Sequence, residues 1–211
     1  MKPIIIVNFK TYEQATGERA VELARALESV SKDIIVAVQN ADIYRVAHET
    51  SLKVYAQHVD PVTFGANTGK DLAECLKANG AKGVIINHSE DSVDYETVNA
   101  CVERAREVGL ETVVCIPRVE DLKYVKTADM IAFEDPELIG SGKAISKMMP
   151  EKVKEFAERC TQAVPLCGAG ISTKEDVKAA LDLGTKGILV ASAVVKANDP
   201  AGVLKSWLEV F

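Results

Sequence analysis

Short apolar stretches recur along the chain at regular intervals. Each has three to five residues, valine and isoleucine are frequent in them, and none alternates with polar residues as a half-exposed strand does. One stretch follows the next after about 26 residues on average, which accommodates a strand, a helix and two short loops. The pattern predicts eight strands separated by helices. The strands are Ile4–Val7, Ile34–Val38, Val54–Ala56, Val84–Ile86, Thr112–Cys115, Met130–Phe133, Val164–Cys167 and Ile188–Val190.

Between these stretches, apolar residues repeat at helical spacing with typical start and stop residues. Thr173, with Asp176 three residues later, is the pairing expected at a helix start, and Gly184 follows the last apolar position. Pro150 and Pro200 stand where proline is favoured, in or next to a first turn. The other predicted helices are Glu18–Ser29, a helix through Val98 and Val102 that is closed by Gly109, Glu151–Ala163, Ala201–Leu208 and the shorter Ala41–Thr50, Lys70–Asn79 and Val119–Lys126.

The alternation of strands and helices predicts the fold class. Strands that are apolar on both faces indicate a parallel sheet with right-handed crossovers. Eight such units in 211 residues favour a closed (β/α)8 TIM barrel over an open doubly wound sheet, and no dinucleotide-binding glycine pattern follows the first strand. No linker divides the chain, so we expect a single α/β domain over residues 1–211. Residues 134–149 lack a predicted element, and a loop of this length in a compact barrel suggests a lid.

Charge and cysteine content exclude several classes of protein. There are 25 basic and 31 acidic residues, for a net charge of −6, and no dense basic cluster that would bind nucleic acid or an anionic membrane. No stretch approaches the ~20 apolar residues of a membrane span. The five cysteines form no C-x-x-C pair and the three histidines are widely spaced, so neither a disulfide framework nor a metal site is expected. We therefore expect a cytoplasmic location.

Four polar residues follow predicted strands at the end where barrel enzymes carry their active sites. Asn8 and Lys10 follow the first strand, His88 the fourth and Glu134 the sixth. A lysine there could stabilise developing negative charge, and a buried carboxylate could accept a proton. A short helical turn beginning at Ser89 would hold His88 neutral. The alternatives without a catalytic role are a solvated surface lysine and a hydrogen-bonded structural histidine.

Small residues follow the last two strands. Gly168 and Gly170 follow the seventh, and Ala191 and Ser192 the eighth. Backbone N–H groups in such turns can converge on an anion at the barrel rim. The pattern therefore indicates a phosphorylated ligand, although ordinary tight turns also contain glycine.

As a set, these residues resemble one family, triosephosphate isomerase in its short archaeal form. Each motif alone is weak, but their combination is specific, and they occur in family order along the whole chain. The matching stretches are Asn8-Phe9-Lys10, Ala56–Pro61, Gly65–Gly69, Asn87–Glu90, Phe133-Glu134, Glu137–Gly142, Cys167–Ile171, Val190–Ser192 and Val194–Ala197.

The resemblance implies the interconversion of dihydroxyacetone phosphate and D-glyceraldehyde 3-phosphate through an enediol(ate), with neither metal nor organic cofactor. Glu134 would move the carbon-bound proton, and a neutral His88 would polarise the carbonyl. Lys10 would stabilise negative charge, Asn8 would orient the substrate, and lid closure would exclude water. The substrate- and phosphate-binding residues implied are Asn8, Phe9, Lys10, Ile139, Gly140, Gly170, Ala191 and Ser192.

The resemblance also implies a homo-oligomer, either a dimer or the tetramer frequent among archaeal relatives. In the family, the loop corresponding to Gly65–Gly69 reaches a neighbouring subunit, with Thr68 near that subunit's active site. Two positions depart from the family pattern: Asp135 replaces a proline at the start of the lid, and Asn67 stands where histidine is common. Neither removes a catalytic residue, but Asp135 leaves the hinge freer than proline would.

Two other functions are compatible with parts of this pattern. A phosphate-binding barrel similar to indole-glycerol-phosphate or thiamin-phosphate synthases would share the rim, but it would not explain Asn8, Lys10, His88 and Glu134 together. A non-catalytic barrel that senses phosphorylated metabolites would need the rim without the base. Turnover of a triose phosphate distinguishes both from an isomerase.

Overall fold

The strands form a closed, fully parallel barrel. The computed structural model describes residues 4–138 and 144–211, and in it each strand pairs with the next while β8 pairs with β1. The predicted (β/α)8 barrel is confirmed, and each strand end lies within one residue of its predicted position. The strands are β1 Ile4–Asn8, β2 Ile35–Val38, β3 Lys53–Ala56, β4 Gly83–Ile86, β5 Glu111–Ile116, β6 Met130–Phe133, β7 Val164–Cys167 and β8 Gly187–Val190.

Helices surround the barrel. Among residues 4–138 and 144–211, no helix is long and apolar enough to cross a membrane. The α-helices are α1 Glu18–Glu28, α2 Ile43–Glu49, α3 Ala73–Ala78, α4 Tyr95–Glu107, α5 Ile145–Met148, α6 Pro150–Arg159, α7 Lys174–Asp182, α8 Ser192–Val195 and α9 Pro200–Leu208. Short 3-10 helices span Glu13–Ala15, Asn40–Asp42 and Val119–Tyr124.

The structure corrects three predictions for segments near or between helices. In place of the helix predicted over Val119–Lys126, a 3-10 helix spans Val119–Tyr124, with an i to i+3 hydrogen bond from Asp121 N to Arg118 O of 3.1 Å. The helix predicted over Glu151–Ala163 ends at Arg159, because Cys160 leaves the helical conformation at ψ 73° and the chain turns into β7. The segment predicted as an unstructured lid contains the short helix α5.

Alternate strand residues build two layers of core. One set points into the barrel, and the other packs between the strands and the helices. Near the amino end, Tyr55 crosses the interior and donates its hydroxyl to Glu111. Gly83 makes room for this ring, since a Cβ there would lie 2.6 Å from it. The amino end is therefore filled by packing, and polar side chains collect at the carboxyl end.

Candidate active site

A cavity of about 190 Å³ opens at the carboxyl ends of the strands. It is smaller than the ~300–1,000 Å³ of sites for drug-sized ligands, and so suits a small metabolite. The loops after β1, β4, β6, β7 and β8 all contribute to it. The lining consists of Asn8, Lys10, Tyr12, His88, Glu134, Ala169, Gly170, Ile171, Ser172, Leu189, Val190, Ala191, Ser192 and Ala193.

Lys10 reaches the cavity from a strained backbone position. Its φ is 47°, a left-handed conformation that costs a non-glycine residue about 1–3 kcal/mol and is common at functional sites. The amide of Lys10 donates to Asn8 Oδ1 at 3.0 Å, which ties the turn to the end of β1. Its Nζ pairs with Glu90 Oε1 at 2.7 Å, and only 10% of the side chain is exposed. The ammonium is therefore held at the cavity wall.

Gln57 supports this turn, although no specific role was predicted for it. Its Nε2 donates to Lys10 O at 3.1 Å, to Asn8 Oδ1 at 3.2 Å and to Ala37 O at 3.1 Å. The amide has two hydrogens for three acceptors, so at least one is shared. One side chain from the end of β3 thus connects the ends of β1 and β2.

His88 is oriented by a backbone amide. Glu90 N donates to His88 Nδ1 at 3.2 Å, and an acceptor nitrogen on a neutral imidazole requires the proton on the other nitrogen. That nitrogen, Nε2, lies 3.7 Å from Glu134 Oε2. The prediction of a helical turn at Ser89 is only partly right: a single turn closes by Asp91 N to His88 O at 2.8 Å, whereas α4 begins later. The orienting interaction is therefore one hydrogen bond, without a helix dipole.

Glu134 follows β6 and is almost fully buried, with 5% of its surface exposed. Its amide donates to Ile116 O at 3.1 Å, which fixes the backbone at the strand end. Its Oε2 has no hydrogen-bond partner among the described residues. Because an unsatisfied buried carboxylate oxygen is costly, this atom is available to a proton or a substrate group.

Two thiols lie near this carboxylate. Burial raises the pKa of Cys115 well above its ordinary value, and the charge of Glu134 raises it further. Burial followed by the Glu134 charge likewise raises the pKa of Cys167. Both thiols therefore stay neutral at physiological pH, so neither competes with Glu134 as a base.

The predicted phosphate rim borders the cavity. Ala169 and Gly170 both have positive φ, 62° and 70°, which turns this loop back over the barrel mouth. The amides of Gly170, Ser192 and Ala193 donate to no other group in the part of the chain that the structure describes. Amides free in this way can bind anion oxygens.

Other predicted binding residues differ in placement. Ala191 and Ser192 line the cavity, and Ile139 and Gly140 lie outside the described residues. Phe9, also predicted to bind the substrate, is 0% exposed and packs in the outer core. Its contact with the substrate stays a prediction.

Tyr12 and Ser172 also line the cavity, and neither was predicted to do so. Lys196 Nζ lies 4.1 Å from the centre of the Tyr12 ring, so this ring joins the β1 loop to the end of α8. Tyr12 could have been predicted from its position two residues after Lys10, which follows a strand end. Ser172, two residues after Gly170, could have been found by extending the glycine turn.

A second polar group follows β3. His58, Asp60 and Asp71 could offer ligand atoms within 4.8 Å of one another. Asp60, however, already accepts hydrogen bonds at both oxygens, from Lys70 Nζ at 2.9 Å and Asp71 N at 2.8 Å. The structure thus accounts for this group without an ion.

Comparison with known proteins places the chain in a family. The sequence model of the family described as triosephosphate isomerase matches residues 3–207. The triosephosphate isomerase of Methanobacterium bryantii is 46% identical, with 96% of this chain and 94% of the relative covered. Those of Methanosarcina barkeri and Saccharolobus solfataricus are each 43% identical, with 99% and 98% of this chain and 98% and 95% of the relatives covered.

A solved structure supports the fold. The crystal structure of triosephosphate isomerase from Bartonella henselae matches with a TM-score of 0.79 over 98% of this chain and 99% of that chain, at 21% identity. The sequence relatives carry the family assignment, and they agree with the motifs at the strand ends. The chain therefore belongs to the triosephosphate isomerase family, whose members interconvert dihydroxyacetone phosphate and D-glyceraldehyde 3-phosphate.

Proposed function

We propose that Glu134 and His88 carry out the isomerisation, with Lys10 and Asn8 completing the catalytic set. The chain is an isomerase of triose phosphates, so its reaction moves one proton between two neighbouring carbons. The observation that carries the assignment is the unpaired Oε2 of Glu134, 3.7 Å from His88 Nε2. One group can accept a carbon-bound proton while the other donates a hydrogen bond to the adjacent oxygen.

The proposed steps balance without an added reagent. Glu134 removes a proton from C1 of dihydroxyacetone phosphate, and the C–H electron pair forms the double bond of an enediolate. The Nε2–H of His88 stabilises the oxygen at C2 and exchanges protons with the two oxygens. The Lys10 ammonium offsets the negative charge, and Asn8 orients the hydroxyl group. Glu134 then returns the proton to C2, which gives D-glyceraldehyde 3-phosphate.

The phosphate would lie against the loops after β7 and β8. Gly170, Ser192 and Ala191 contribute the proposed backbone contacts, supported by the free amides of the first two. Ile139 and Gly140 are proposed to join them from the lid. Side chains supply the base, the proton donor and the cation, so we propose a reaction that uses neither metal nor organic cofactor.

The test compares two carboxylates of the same segment. Glu134→Ala should lower kcat by about 10²–10⁴-fold, the usual contribution of a positioned base, while 2-phosphoglycolate still binds. The matched control is Glu137→Ala, an exposed carboxylate three residues later, which should retain kcat. Near-wild-type turnover of dihydroxyacetone phosphate by Glu134→Ala would contradict the assignment.

We further propose that residues 1–211 form one barrel domain in which residues 134–149 act as a lid. Ile145 N donates to Ala169 O at 3.3 Å, which links the end of this segment to the phosphate loop. Closure over a bound ligand should protect this segment, so limited proteolysis should cleave it less with 2-phosphoglycolate than without it. Equal cleavage with and without the inhibitor would contradict the lid.

We propose a homo-oligomer, a dimer or a tetramer, joined through the Gly65–Gly69 loop. Phe64, at the start of this loop, is 76% exposed, and an exposed aromatic residue is a common interface residue. Phe64→Ser together with Thr68→Arg should lower the mass in sedimentation velocity, whereas Tyr44→Ser, at another exposed aromatic on α2, should not. A wild-type monomer would contradict the proposal.

A cytoplasmic location is proposed from the cysteines. All five are free, as is usual in a reducing compartment. Fractionation of source cells, with the activity followed in each fraction, tests this. Activity confined to a membrane or secreted fraction would contradict it.

A further inference from the structure

His58 lies between two carboxylates, one after β3 and one after β4. Its Nδ1 lies 2.7 Å from Asp91 Oδ2, and its Nε2 lies 3.4 Å from Asp60 Oδ2. Asp60 is buried and fixed by Lys70 Nζ and the Asp71 amide. The ring therefore connects a rigid anchor after β3 to the loop that follows β4.

The charge on this anchor is stable. Burial alone would raise the pKa of Asp60, but hydrogen bonds from the Asp71 amide and Lys70, together with His58, outweigh it and lower that pKa below its ordinary value. Asp60 is therefore ionised at neutral pH. The His58 ring thus lies between two carboxylates, within ion-pair distance of both Asp60 and Asp91.

Asp91 belongs to the turn that orients His88. Its amide closes the turn onto His88 O at 2.8 Å. Within that turn, the Glu90 amide donates to His88 Nδ1 at 3.2 Å. The geometry of residues 88–91 thus decides which ring nitrogen of His88 carries the proton that faces Glu134.

The two ends of this loop are held differently. At its base, Asn87 accepts from Val93 N at 3.1 Å and donates to Cys115 O at 2.9 Å. The Asp91 side chain, in contrast, is 63% exposed, and its contact with His58 ties it to β3. Without that contact, the tip of the loop would keep its own hydrogen bonds and the Lys10–Glu90 ion pair, and Asp91 itself would have no tie to β3 among the described residues.

We propose that His58 is a positioning residue for the isomerisation. By holding Asp91, it keeps the turn over residues 88–91 in the conformation that places the Glu90 amide on His88 Nδ1. The inference rests on the role proposed above for His88. His58 touches neither the substrate nor the reacting atoms, and it acts only through this turn.

The experiment uses His58→Gln and Asp91→Asn in the full chain. A misplacement of about 1 Å can cost 10²-fold in rate, and we expect a loosened turn to lower kcat about tenfold while KM stays within about twofold. The nitrogen resonances of His88 should change from one tautomer, protonated at Nε2, to a mixture. The double variant should be no slower than either single variant, because both remove the same contact.

Two further variants make the result decisive. His48→Gln is the matched control, since His48 is an exposed histidine on α2 that contacts Tyr44, and it should change neither kcat nor the His88 resonances. His88→Gln, assayed in parallel, should lose activity. If it does and both His58→Gln and Asp91→Asn keep wild-type kcat and tautomer, the inference fails while the proposed function stands. Additive losses of kcat in the double variant would also overturn the inference. An active His88→Gln would overturn both the inference and the role proposed for His88.

Discussion

The Glu134 carboxylate occupies space that the glycine at position 168 leaves free. A Cβ on Gly168 would lie 2.7 Å from Glu134 Cδ, well inside the ~3.5–4.0 Å of ordinary carbon contacts. The two residues are neighbours because β6 and β7 pair with Phe133 opposite Cys167. The position of the proposed base thus depends on a missing side chain in the adjacent strand.

Gly168→Ala should therefore displace the base. We expect kcat to fall about 10²-fold, since a shift of about 1 Å at a reacting group has this effect. Binding of inorganic phosphate should change little, because Gly168 does not line the cavity. Steady-state kinetics with dihydroxyacetone phosphate and a phosphate titration give the two quantities.

Gly187→Ala is the control for general crowding. A Cβ there would lie 2.6 Å from Ile4 Cβ, at the amino end of β8 and far from the cavity. It should lower the free energy of unfolding and leave the kcat of the folded enzyme unchanged. Similar losses of kcat in both variants would mean that barrel distortion, and not displacement of Glu134, is responsible.

Gly170→Ala tests the phosphate rim against a glycine of similar conformation. Gly170 and Gly109 have φ of 70° and 76°, so alanine at either position should cost about 1–2 kcal/mol in stability. Only Gly170 lines the cavity. Because the strained loop would shift its free amide, we expect KM to rise about three- to tenfold and 2-phosphoglycolate to bind correspondingly less tightly. Gly109→Ala should change neither KM nor the affinity for 2-phosphoglycolate. Equal values of both quantities for the two variants would mean that Gly170 does not contribute to phosphate binding.

The strands could be predicted closely because both of their faces are buried. Met130–Phe133 and Val164–Cys167 agree with the structure at both ends, since Glu134 and Gly168 directly follow the two apolar stretches. Helix ends depended on local caps, and the Thr173 and Asp176 pairing was therefore predictable. The 3-10 helix at Val119–Tyr124 was not, because its tightening involves the contact between Arg118 and the buried Asp121.

Part of the geometry of the site was predictable from the sequence. The placement of Lys10, His88 and Glu134 at the cavity follows from their positions at strand ends. The role of Gln57 does not, because its acceptors lie at the ends of two other strands and meet only when the barrel forms. The orientation of His88 by a single amide likewise required the geometry of the turn.

Asp176 should make the free energy of unfolding depend on pH. It accepts from the Ser172 and Thr173 amides at 3.0 and 2.9 Å and pairs with Lys147 Nζ at 2.6 Å. Burial would raise its pKa, but the Lys147 contact and these amides outweigh burial and lower the pKa below 3.8. A pKa lower in the folded than in the unfolded protein gives stability above about pH 4, which is lost as the pH falls through the folded value.

Asp176→Asn should accordingly lower the free energy of unfolding at pH 7 by about 2 kcal/mol, as for hydrogen bonds to a charged group. The difference from the wild type should shrink as the pH falls below about 4, because the carboxyl of the unfolded wild type then takes up a proton that the folded protein does not yet bind. Urea denaturation at pH 7 and pH 3.5 gives both values. Asp182→Asn, at an exposed helix pair with Lys178, should change stability little at either pH, and a constant difference for Asp176→Asn would refute the assignment.

Asp135 closes the turn directly after the proposed base. Its Oδ1 accepts from Glu137 N at 3.0 Å, and its carbonyl accepts from Leu138 N at 3.0 Å. Asp135 also precedes Pro136, which favours an extended backbone at position 135. The side chain thus provides a local restraint at the hinge where proline is the family's usual residue.

Asp135→Ala and Asp135→Pro remove the same side-chain hydrogen bond but leave the backbone at position 135 with different conformational freedom. Such a bond contributes about 0.5–1.5 kcal/mol, so Asp135→Ala should weaken 2-phosphoglycolate binding about two- to tenfold if closure of the lid uses this turn. Proline fixes φ near −65° and reduces the open conformations by about 0.4–1 kcal/mol, so Asp135→Pro should recover most of that affinity. Inhibition constants of 2-phosphoglycolate for the wild type and the two variants test this prediction. Wild-type binding by Asp135→Ala, or equal binding by the two variants, would mean that this turn does not restrain the lid.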